Sequence, residues 1–370
     1  MMEKKVYYYP ELDTLRFLAF LLVLVHHGEF WKEIIPWRIL AKYGWMGVDL
    51  FLCLSAFLFT RLLYVEYQSR GGINIRNFYI RRAFRIWPLY FFFLGISTAF
   101  TVADYGWSQS LQQRFIGMLF FADNLVSAAW NYNVEILFAA HLWTISYEEQ
   151  FYAVIPWVLR KLYQASRATS LMAIIGAFLA GSVIRAILIN NHTPHPAIWV
   201  LPLTHFESIL GGMVVGLGLV DAPLKKIPSW ILLGAGMLAL WQVTRLENVS
   251  TISWSLMLTY PLIGLGTSLI LFAVMQSNLG FLTILLKNKI SAYLGKISYG
   301  LYVYHIAGLH YGYLITERFI SPDRLLAYPV AGLFAGLVVT ILVSMISYHA
   351  LERPFLRIKE RFAVIESRPA

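Results

Sequence analysis

The sequence predicts an all-α, polytopic integral membrane protein with about ten transmembrane helices. Three observations predict this class: 58% of the 370 residues are hydrophobic, only 14% are charged, and the apolar residues form stretches of spanning length. Soluble proteins carry charge on about a quarter of their residues, and a spanning helix needs about 20 apolar residues. Because these stretches use most of the chain, we expect one membrane domain over residues 1–370.

Ten stretches are long and apolar enough to be spanning helices. They cover residues 12–31, 46–65, 83–104, 141–160, 169–190, 198–220, 228–244, 252–276, 291–315 and 326–350. Counting the short run at 114–124 as a span would place the later basic clusters outside, against the positive-inside bias. We therefore expect 105–140 to be an outer loop with a short interfacial or re-entrant helix. Both termini should be cytoplasmic, in a cell (inner or plasma) membrane.

The remaining composition argues against several kinds of protein. The net charge of +10 is explained by basic residues in cytoplasmic loops, so it does not indicate nucleic-acid binding. The single cysteine, Cys53, excludes an intrachain disulfide. The sequence has no metal-ligand spacing, so we expect neither a metal nor a permanently bound cofactor.

The first span contains two ionisable residues, Arg16 and His27. Eleven residues correspond to about three helical turns, so the two side chains share one face, ~16 Å apart along the axis. An ionisable residue inside a span costs roughly 2.5–3.5 kcal/mol on insertion scales and usually faces a protein interior or a wet cavity. The pair is therefore either a structural polar seam or part of a functional site.

The second span carries an acid near the outer face, and the third begins with a basic cluster. Asp49 lies about one turn into its span, at the depth of the histidine in the first span. In NFYIRRAFRIWPLY, Arg81 and Arg82 precede Arg85 by four and three positions, so these side chains line one side of a helix start. Such arginines either anchor the topology or recognise phosphate. Their density, together with Tyr90, favours a phosphate-binding mouth.

The fourth and ninth predicted spans carry further polar side chains. In HLWTISYEEQFY, His141 and Glu148 are seven positions apart and share a helix face. In LGKISYGLYVYH, Ser298, Tyr302 and His305 lie on one side of the span, near mid-membrane. Polar groups at this depth are functional candidates because their burial in lipid is costly.

Together these residues resemble the acyltransferase family 3 of integral membrane acyltransferases. The resemblance covers residues 11 to about 357 and rests on the Arg16 to His27 spacing and on five blocks in order. These are GVDLFLCLSAFL, FYIRRAFRIWPLY, HLWTISYEEQFY, LGKISYGLYVYH and LERPFLR. The chain departs from the family at Ala56, where glycine is usual, and at His205 and Glu207, where relatives commonly have Arg and Asp.

The resemblance implies transfer of an acyl group, most often acetyl from acetyl-CoA, to a hydroxyl of a carbohydrate-containing or other acceptor. The cell-surface polysaccharides and glycosides belong to this class of acceptor. Larger members carry a fused soluble esterase-like domain, which we do not expect here. The acceptor of relatives cannot be carried over, because the departures fall on the side expected to face it.

Acyl transfer to a hydroxyl requires a base and stabilisation of an oxyanion. We expect His27 to be the base, Asp49 to orient its ring, and Glu148 to complete the catalytic set. His26 faces ~100° away and should pack. The expected acyl-CoA-binding residues are Arg16, Arg81, Arg82, Arg85 and Tyr90. The expected acceptor-binding residues are His141, Glu207, Ser298, Tyr302 and His305.

An acyl-CoA-dependent O-acyltransferase explains the most features, but two other functions remain open. A polar seam through ten spans would also serve a transporter or flippase of a lipid-linked or glycan substrate. A carrier could move an acyl group across the membrane on a histidine. The donor could be acetyl-, succinyl- or another short acyl-CoA. The expected partners are acyl-CoA, the acceptor and membrane lipids, with no nucleic acid; a homo-oligomer is left open.

Overall fold

The computed structural model describes residues 8–28, 37–130, 136–324 and 327–363, and every regular element in these ranges is helical. The all-α prediction is therefore confirmed. The first helices are α1 (Pro10–His27), α2 (Trp37–Tyr43), α3 (Met46–Arg70), α4 (Ile75–Tyr105), α5 (Gln109–Leu119), α6 (Asp123–Trp130), α7 (Trp143–Gln164), α8 (Arg167–Asn190) and α9 (Ala197–Val200). The remainder are α10 (Glu207–Gly216), α11 (Asp221–Leu224), α12 (Ser229–Val243), α13 (Leu256–Met275), α14 (Phe281–Leu286), α15 (Lys289–Lys296), α16 (Ser298–Glu317), α17 (Ala327–Ser347) and α18 (Arg353–Glu360).

Five helical stretches among the described residues are long and apolar enough to cross a membrane. They are α3, α4, α8, α13 and the stretch Ala327–Glu360. The polar helices α1, α7 and α16 have 18, 22 and 20 residues. In contrast, α10 and α12 have only 10 and 15 residues. The protein thus has the helices of a membrane protein, while the ten-span count and the orientation of the termini stay predictions.

Glycines allow helices α1, α3 and α10 to pack closely. A Cβ atom on Gly47 of α3 would collide with the Ala19 carbonyl of α1, and one on Gly212 of α10 would collide with the Cys53 carbonyl of α3. With only hydrogen at these positions, the backbones can approach closely, as is common between helices in membranes. Helix α3 is therefore packed between α1 and α10.

The stretch predicted as a continuous span over 198–220 is broken in the structure. Helix α9 ends at Val200, and α10 begins only at Glu207. Pro202 lies in the break and has no N–H to donate. Thr204 Oγ1 donates to the Ile198 carbonyl at 2.8 Å, and Arg185 Nε donates to the Thr204 carbonyl at 3.0 Å. Non-helical backbone at membrane depth is tolerated when protein groups satisfy it in this way.

The segment 105–140 contains two short helices, α5 and α6, where the sequence predicted one. Arg114 Nε lies 2.9 Å from Asp123 Oδ1, and this buried ion pair joins the two helices. Gln150 of α7 donates to the Phe121 carbonyl at 2.9 Å, which ties the segment to the helix bundle. Residues 131–135 of the predicted loop, like 29–31 of the first predicted span, lie outside the described residues.

Pro354 lies inside the last helical stretch and does not end it. A π-helical turn, Tyr348–Glu352, follows α17, and Pro354 lies in the first turn of α18. Proline is accepted there because the first N–H groups of a helix have no partner within the helix. The consequence is that α18 directly follows the π-helical turn and packs against α4.

Candidate functional site

A cavity of about 420 Å³ lies between helices α1, α3, α4, α7, α15, α16 and α18. This volume falls in the range of pockets that bind small molecules. Its walls are partly apolar, with Val48, Phe51, Leu52, Phe59 and Ile86 among the lining residues. Charged side chains and uncharged polar side chains complete the lining.

The charged lining is mostly basic. Of the residues predicted to bind the donor, Arg16, Arg82 and Arg85 line the cavity. Further cations come from the last elements of the chain: Lys296, Arg353, Arg357 and Lys359. The acidic lining residues are Glu148 and Glu360. An excess of one sign of charge in a low-dielectric cleft concentrates oppositely charged ligands, here anions.

Arg82 is fixed by aromatic rings at the cavity wall. Its guanidinium carbon lies 4.3 Å from the centroid of the Phe59 ring and 5.9 Å from that of Tyr152. Arg85 lies one turn further along α4, and its guanidinium donates to the Lys296 carbonyl at 3.4 Å. A planar guanidinium held against rings is pre-organised to bind a phosphate or carboxylate.

The structure does not bring Arg81 and Tyr90 into this cavity. Arg81 forms an ion pair with Glu66 at 3.2 Å and donates to the Phe362 carbonyl at 2.8 Å. Tyr90 is fully buried, and its hydroxyl donates to the Met118 carbonyl at 2.9 Å. Arg81 is absent from the cavity lining despite its four-residue spacing from Arg85, because its guanidinium is paired with Glu66 of α3. Both residues connect helices here.

Three histidines from distant parts of the chain meet beyond the cavity. His27 Nδ1 lies 3.2 Å from His305 Nε2, and their ring centroids are 4.9 Å apart. The rings of His141 and His305 have centroids 4.6 Å apart. His141 and His305 are buried, and His27 is partly exposed. The sequence predicted roles for all three residues but did not predict that they form one cluster.

Hydrogen bonds to backbone carbonyls determine where the ring protons lie. His27 Nδ1 is 2.9 Å from the Val23 carbonyl, and His305 Nδ1 is 2.6 Å from the Tyr302 carbonyl. A carbonyl oxygen only accepts, so each Nδ1 carries hydrogen. In a neutral ring the lone pair is then on Nε2. His27 therefore has the tautomer of a base whose accepting atom is Nε2.

Tyr302 connects the cavity to the histidine cluster. Its side chain lines the cavity, and its ring centroid lies 5.2 Å from that of His141 and 5.5 Å from that of His305. Its hydroxyl is 2.6 Å from Thr144 Oγ1, which also lines the cavity. Thr144 Oγ1 in turn donates to the His141 carbonyl at 3.0 Å. Two hydroxyls therefore lie together where the cavity reaches the cluster.

Two more predicted residues line the cavity. Glu148 accepts a hydrogen bond from the Tyr152 hydroxyl, one turn along α7. Ser298, the first residue of α16, is buried in the wall. The structure thus groups Glu148 with the arginines of the cavity and places Ser298 one turn before Tyr302.

Asp49 does not contact His27, contrary to the predicted orienting role. Its Oδ1 accepts hydrogen bonds from His205 Nε2 and Ser208 Oγ, both at 2.9 Å. His205 Nδ1 lies 3.0 Å from the Trp199 carbonyl, so the ring donates at both nitrogens or shares a proton with Asp49. Equal depth did not imply contact, because Asp49 faces α10 and not α1.

Glu207 is also committed to a partner within the fold. It accepts a hydrogen bond from Arg185 of α8, a side chain with no exposed surface. The same guanidinium donates to the Leu256 carbonyl at 3.1 Å and lies 4.9 Å from the centroid of the Tyr260 ring. Glu207 thus joins α8, α10 and α13, and the predicted acceptor contact would have to compete with this pair.

Sequence reasoning missed three lining residues. Arg353 and Arg357 were not assigned to the site, although they lie four positions apart on α18. That spacing on an amphipathic helix was the available signal, because it places both on one face. Thr144 carried no signal of its own: its role depends on Tyr302, which is 158 positions away.

The comparisons with known proteins agree with the blocks quoted above. A family model described as an acyltransferase domain matches residues 9–349. O-acetyltransferase OatA of Staphylococcus aureus (strain NCTC 8325 / PS 47) is 24% identical, covering 94% of this chain and 57% of OatA. A relative from Bacillus subtilis (strain 168), named "Putative peptidoglycan O-acetyltransferase YrhL", is 25% identical over 94% of this chain and 55% of YrhL.

These alignments take in nearly the whole of this chain but only part of each relative. The chain spans between 55% and 60% of the length of the curated relatives it matches. No solved structure matches it.

Proposed function

The chain belongs to the acyltransferase domain family, and from this premise we propose that it transfers an acetyl group from acetyl-CoA to a hydroxyl of a carbohydrate-containing acceptor. The reaction is acyl transfer with CoA thiol as the leaving group. One observation carries the proposal: a basic cavity leads to two hydroxyls and a histidine cluster. This order matches a donor with a phosphate-rich head and a reactive thioester tail.

The donor enters through the basic part of the cavity. Arg85, Arg353 and Arg357 supply charged donors for the phosphates of CoA, and Arg-phosphate hydrogen bonds are among the stronger ones in proteins. The apolar wall formed by Phe51, Leu52 and neighbouring residues suits the pantetheine arm. The thioester then lies near Thr144 and Tyr302, with its carbonyl able to accept from a hydroxyl.

His27 acts as the general base. Its Nε2 accepts the proton of the acceptor hydroxyl while the hydroxyl oxygen attacks the acyl carbonyl carbon. The tetrahedral oxyanion receives a hydrogen bond from the Tyr302 hydroxyl, which turns away from Thr144 Oγ1, while Thr144 keeps its bond to the His141 carbonyl. Collapse breaks the C–S bond, and the proton held by His27 passes to the departing thiolate. His305 steadies the His27 ring, since the two nitrogens lie 3.2 Å apart.

The acceptor class is proposed from the family and from relatives. The name of YrhL refers to peptidoglycan, and glycans with free hydroxyls are the natural class to test for this chain. The acceptor is proposed to approach the histidine cluster from the side opposite the basic cavity, which would keep a glycan apart from CoA. A lipid-linked or surface glycan would thus meet the thioester at His27.

The proposal is tested with protein purified into lipid nanodiscs and acetyl-CoA labelled in the acetyl group. Peptidoglycan fragments and soluble glycosides serve as acceptors. We expect release of CoA thiol. We also expect the acceptor to gain one labelled acetyl group, as an alkali-labile ester, for each CoA released. Acetyl-CoA left intact with every acceptor, alongside protein-dependent movement of a labelled glycolipid across vesicles, would instead identify a flippase. Label found on a histidine and not on acceptor would identify a carrier.

A further inference from the structure

A second, much smaller void adjoins the cavity at Thr144. It measures about 10 Å³ and is lined by Val48, Leu52, Trp143, Thr144, Tyr147 and His205. Three of these residues, Val48, Leu52 and Thr144, also line the main cavity. The void is therefore a side pocket beside Thr144, whose hydroxyl lies 2.6 Å from that of Tyr302.

The far wall of this side pocket is held rigidly. The Tyr147 hydroxyl donates to the His205 carbonyl, and the His205 ring is fixed by Trp199 and Asp49. Trp143 packs against Trp199, with ring centroids 5.8 Å apart. Trp143, Tyr147 and His205 are all buried. A larger occupant would have to displace these rings, and close-packed interiors resist such a change.

The size of the side pocket selects its occupant. A volume of about 10–15 Å³ by this measure holds one water-sized group. Val48, Leu52 and Trp143 present apolar surface to it, which disfavours a water that needs several polar partners. A methyl group has the required size and polarity. With its methyl there, an acetyl thioester would have its carbonyl carbon beside Thr144 and Tyr302.

We infer that this side pocket binds the methyl of the transferred acetyl group and limits the donor to short, uncharged acyl chains. The inference rests on the proposed acyl transfer and adds the residues that determine acyl specificity. Leu52 and Trp143 set the length limit. A propionyl chain is tight, a butyryl chain collides with the wall, and the carboxylate of a succinyl chain would be buried beside Val48, Leu52 and Trp143, where the His205 ring is already paired with Asp49.

The test measures kcat/KM for acetyl-, propionyl-, butyryl- and succinyl-CoA with one acceptor. Wild-type protein should transfer acetyl best and butyryl and succinyl poorly. Leu52→Ala should raise the butyryl-to-acetyl ratio by roughly tenfold or more, since one or two methylenes in an apolar pocket are discriminated 10–200-fold. Trp143→Phe, a milder enlargement of the same pocket, should shift the ratio in the same direction.

Leu58→Ala is the matched control. Leu58 lies on the same helix and lines the main cavity but not the side pocket, so the ratio should stay within twofold of wild type. A wild-type protein that transfers butyryl as fast as acetyl would overturn the inference. So would equal shifts in Leu52→Ala and Leu58→Ala. If no acyl-CoA of any length is consumed, the proposed function itself has failed, which is a separate result.

Discussion

The adjacent histidines of α1 have different surroundings and should therefore respond differently to mutation. His26 Nδ1 lies 2.7 Å from the Ala41 carbonyl of α2, a contact that holds two helices together. His27 instead faces His305, with 4.9 Å between the ring centroids. The ~100° turn between consecutive residues of a helix separates a packing residue from a candidate base.

His27→Ala should insert and express but lose nearly all acyl transfer. General-base catalysis contributes about 10²–10⁴-fold, so we expect a loss of that order in kcat with acetyl-CoA binding retained. The measurement is initial rate against pH. Wild type should lose activity on the acid side, where histidine titrates, because protonated His27 cannot accept the hydroxyl proton.

His26→Ala is the control for that experiment, and its rate should stay within tenfold of wild type. A residual rate within tenfold for His27→Ala would refute its role as the base. In that case, the base would have to be sought at His141 or His305, the other members of the cluster.

Arg85→Ala should weaken donor binding more than it affects folding. A charge-assisted contact to phosphate is worth roughly 1.5–3 kcal/mol, which corresponds to about tenfold or more in Kd. Arg82→Ala should weaken binding too, but with a loss of stability, since Arg82 also packs on the Phe59 ring at 4.3 Å. Calorimetry of acetyl-CoA binding in detergent measures both variants.

Arg245→Ala provides a cation-removal control, because its guanidinium lies over Trp241, outside the residues lining the cavity. Unchanged affinity in Arg85→Ala would mean that this arginine serves the topology alone. Arg85→Lys is informative as well. It keeps the positive charge but loses the planar guanidinium group, so we expect an affinity for acetyl-CoA between those of wild type and Arg85→Ala.

At the scale of helices, the site depends on how closely α3 approaches α10. Gly212 makes that approach possible: a Cβ there would lie 3.0 Å from Ala56 Cβ and from the Phe57 nitrogen, besides colliding with the Cys53 carbonyl. The contact between these helices also carries the Asp49–Ser208 hydrogen bond, and His205, two residues before α10, bonds to the same carboxylate.

Gly212→Val should therefore destabilise the protein and impair the side pocket that His205 walls. Gly234→Val is the matched control, because a Cβ on Gly234 of α12 meets nothing within 4 Å. We expect the midpoint of thermal unfolding in detergent to fall by several degrees more for Gly212→Val, since overpacking costs about 1–3 kcal/mol. Equal midpoints would show that α3 and α10 can separate without cost.

At the scale of the whole molecule, the distribution of basic residues predicts the membrane topology. The charge distribution predicts that the 221–228 loop is cytoplasmic and that residues 191–197 are outside. Lys225→Cys and Asn191→Cys, each in a Cys53→Ala background, test this with a membrane-impermeant maleimide on intact cells. Both positions are exposed and Cys53 is buried. Asn191→Cys should react and Lys225→Cys should not; labelling of Lys225→Cys would refute the ten-span arrangement.

The sequence predicted the helices well because their signal is local. Hydrophobic stretches of spanning length predicted α3, α8 and α13 close to their observed positions, whereas α4 begins at Ile75, eight residues before the predicted span. The prediction of a continuous span over 198–220 failed at the break between α9 and α10. The apolar composition continues there, but the helical hydrogen bonding is interrupted around Pro202 and Thr204. Mean hydropathy does not register a change in backbone hydrogen bonding, so the span looked continuous.

The candidate site was predictable residue by residue but not pair by pair. Arg16, Glu148 and Tyr302 line the cavity as polar residues in spans should. The partner of Asp49 could not be predicted, because it depends on the rotation of α3 relative to α10 and on a residue 156 positions away. Arg81 was misassigned to the cavity for a similar reason, since Glu66 on α3 competes for it.

The buried pairs also have a consequence for biogenesis. Asp49 leaves the ribosome 156 residues before His205, and Arg185 leaves 22 residues before Glu207. Each of these side chains lacks its partner until the segment that contains the partner has been synthesised. An unpaired charge inside a membrane protein is costly. Nascent chains that stop before residue 205 would keep both charges uncompensated. The helices can therefore pack with both buried pairs formed only after α10 has been synthesised.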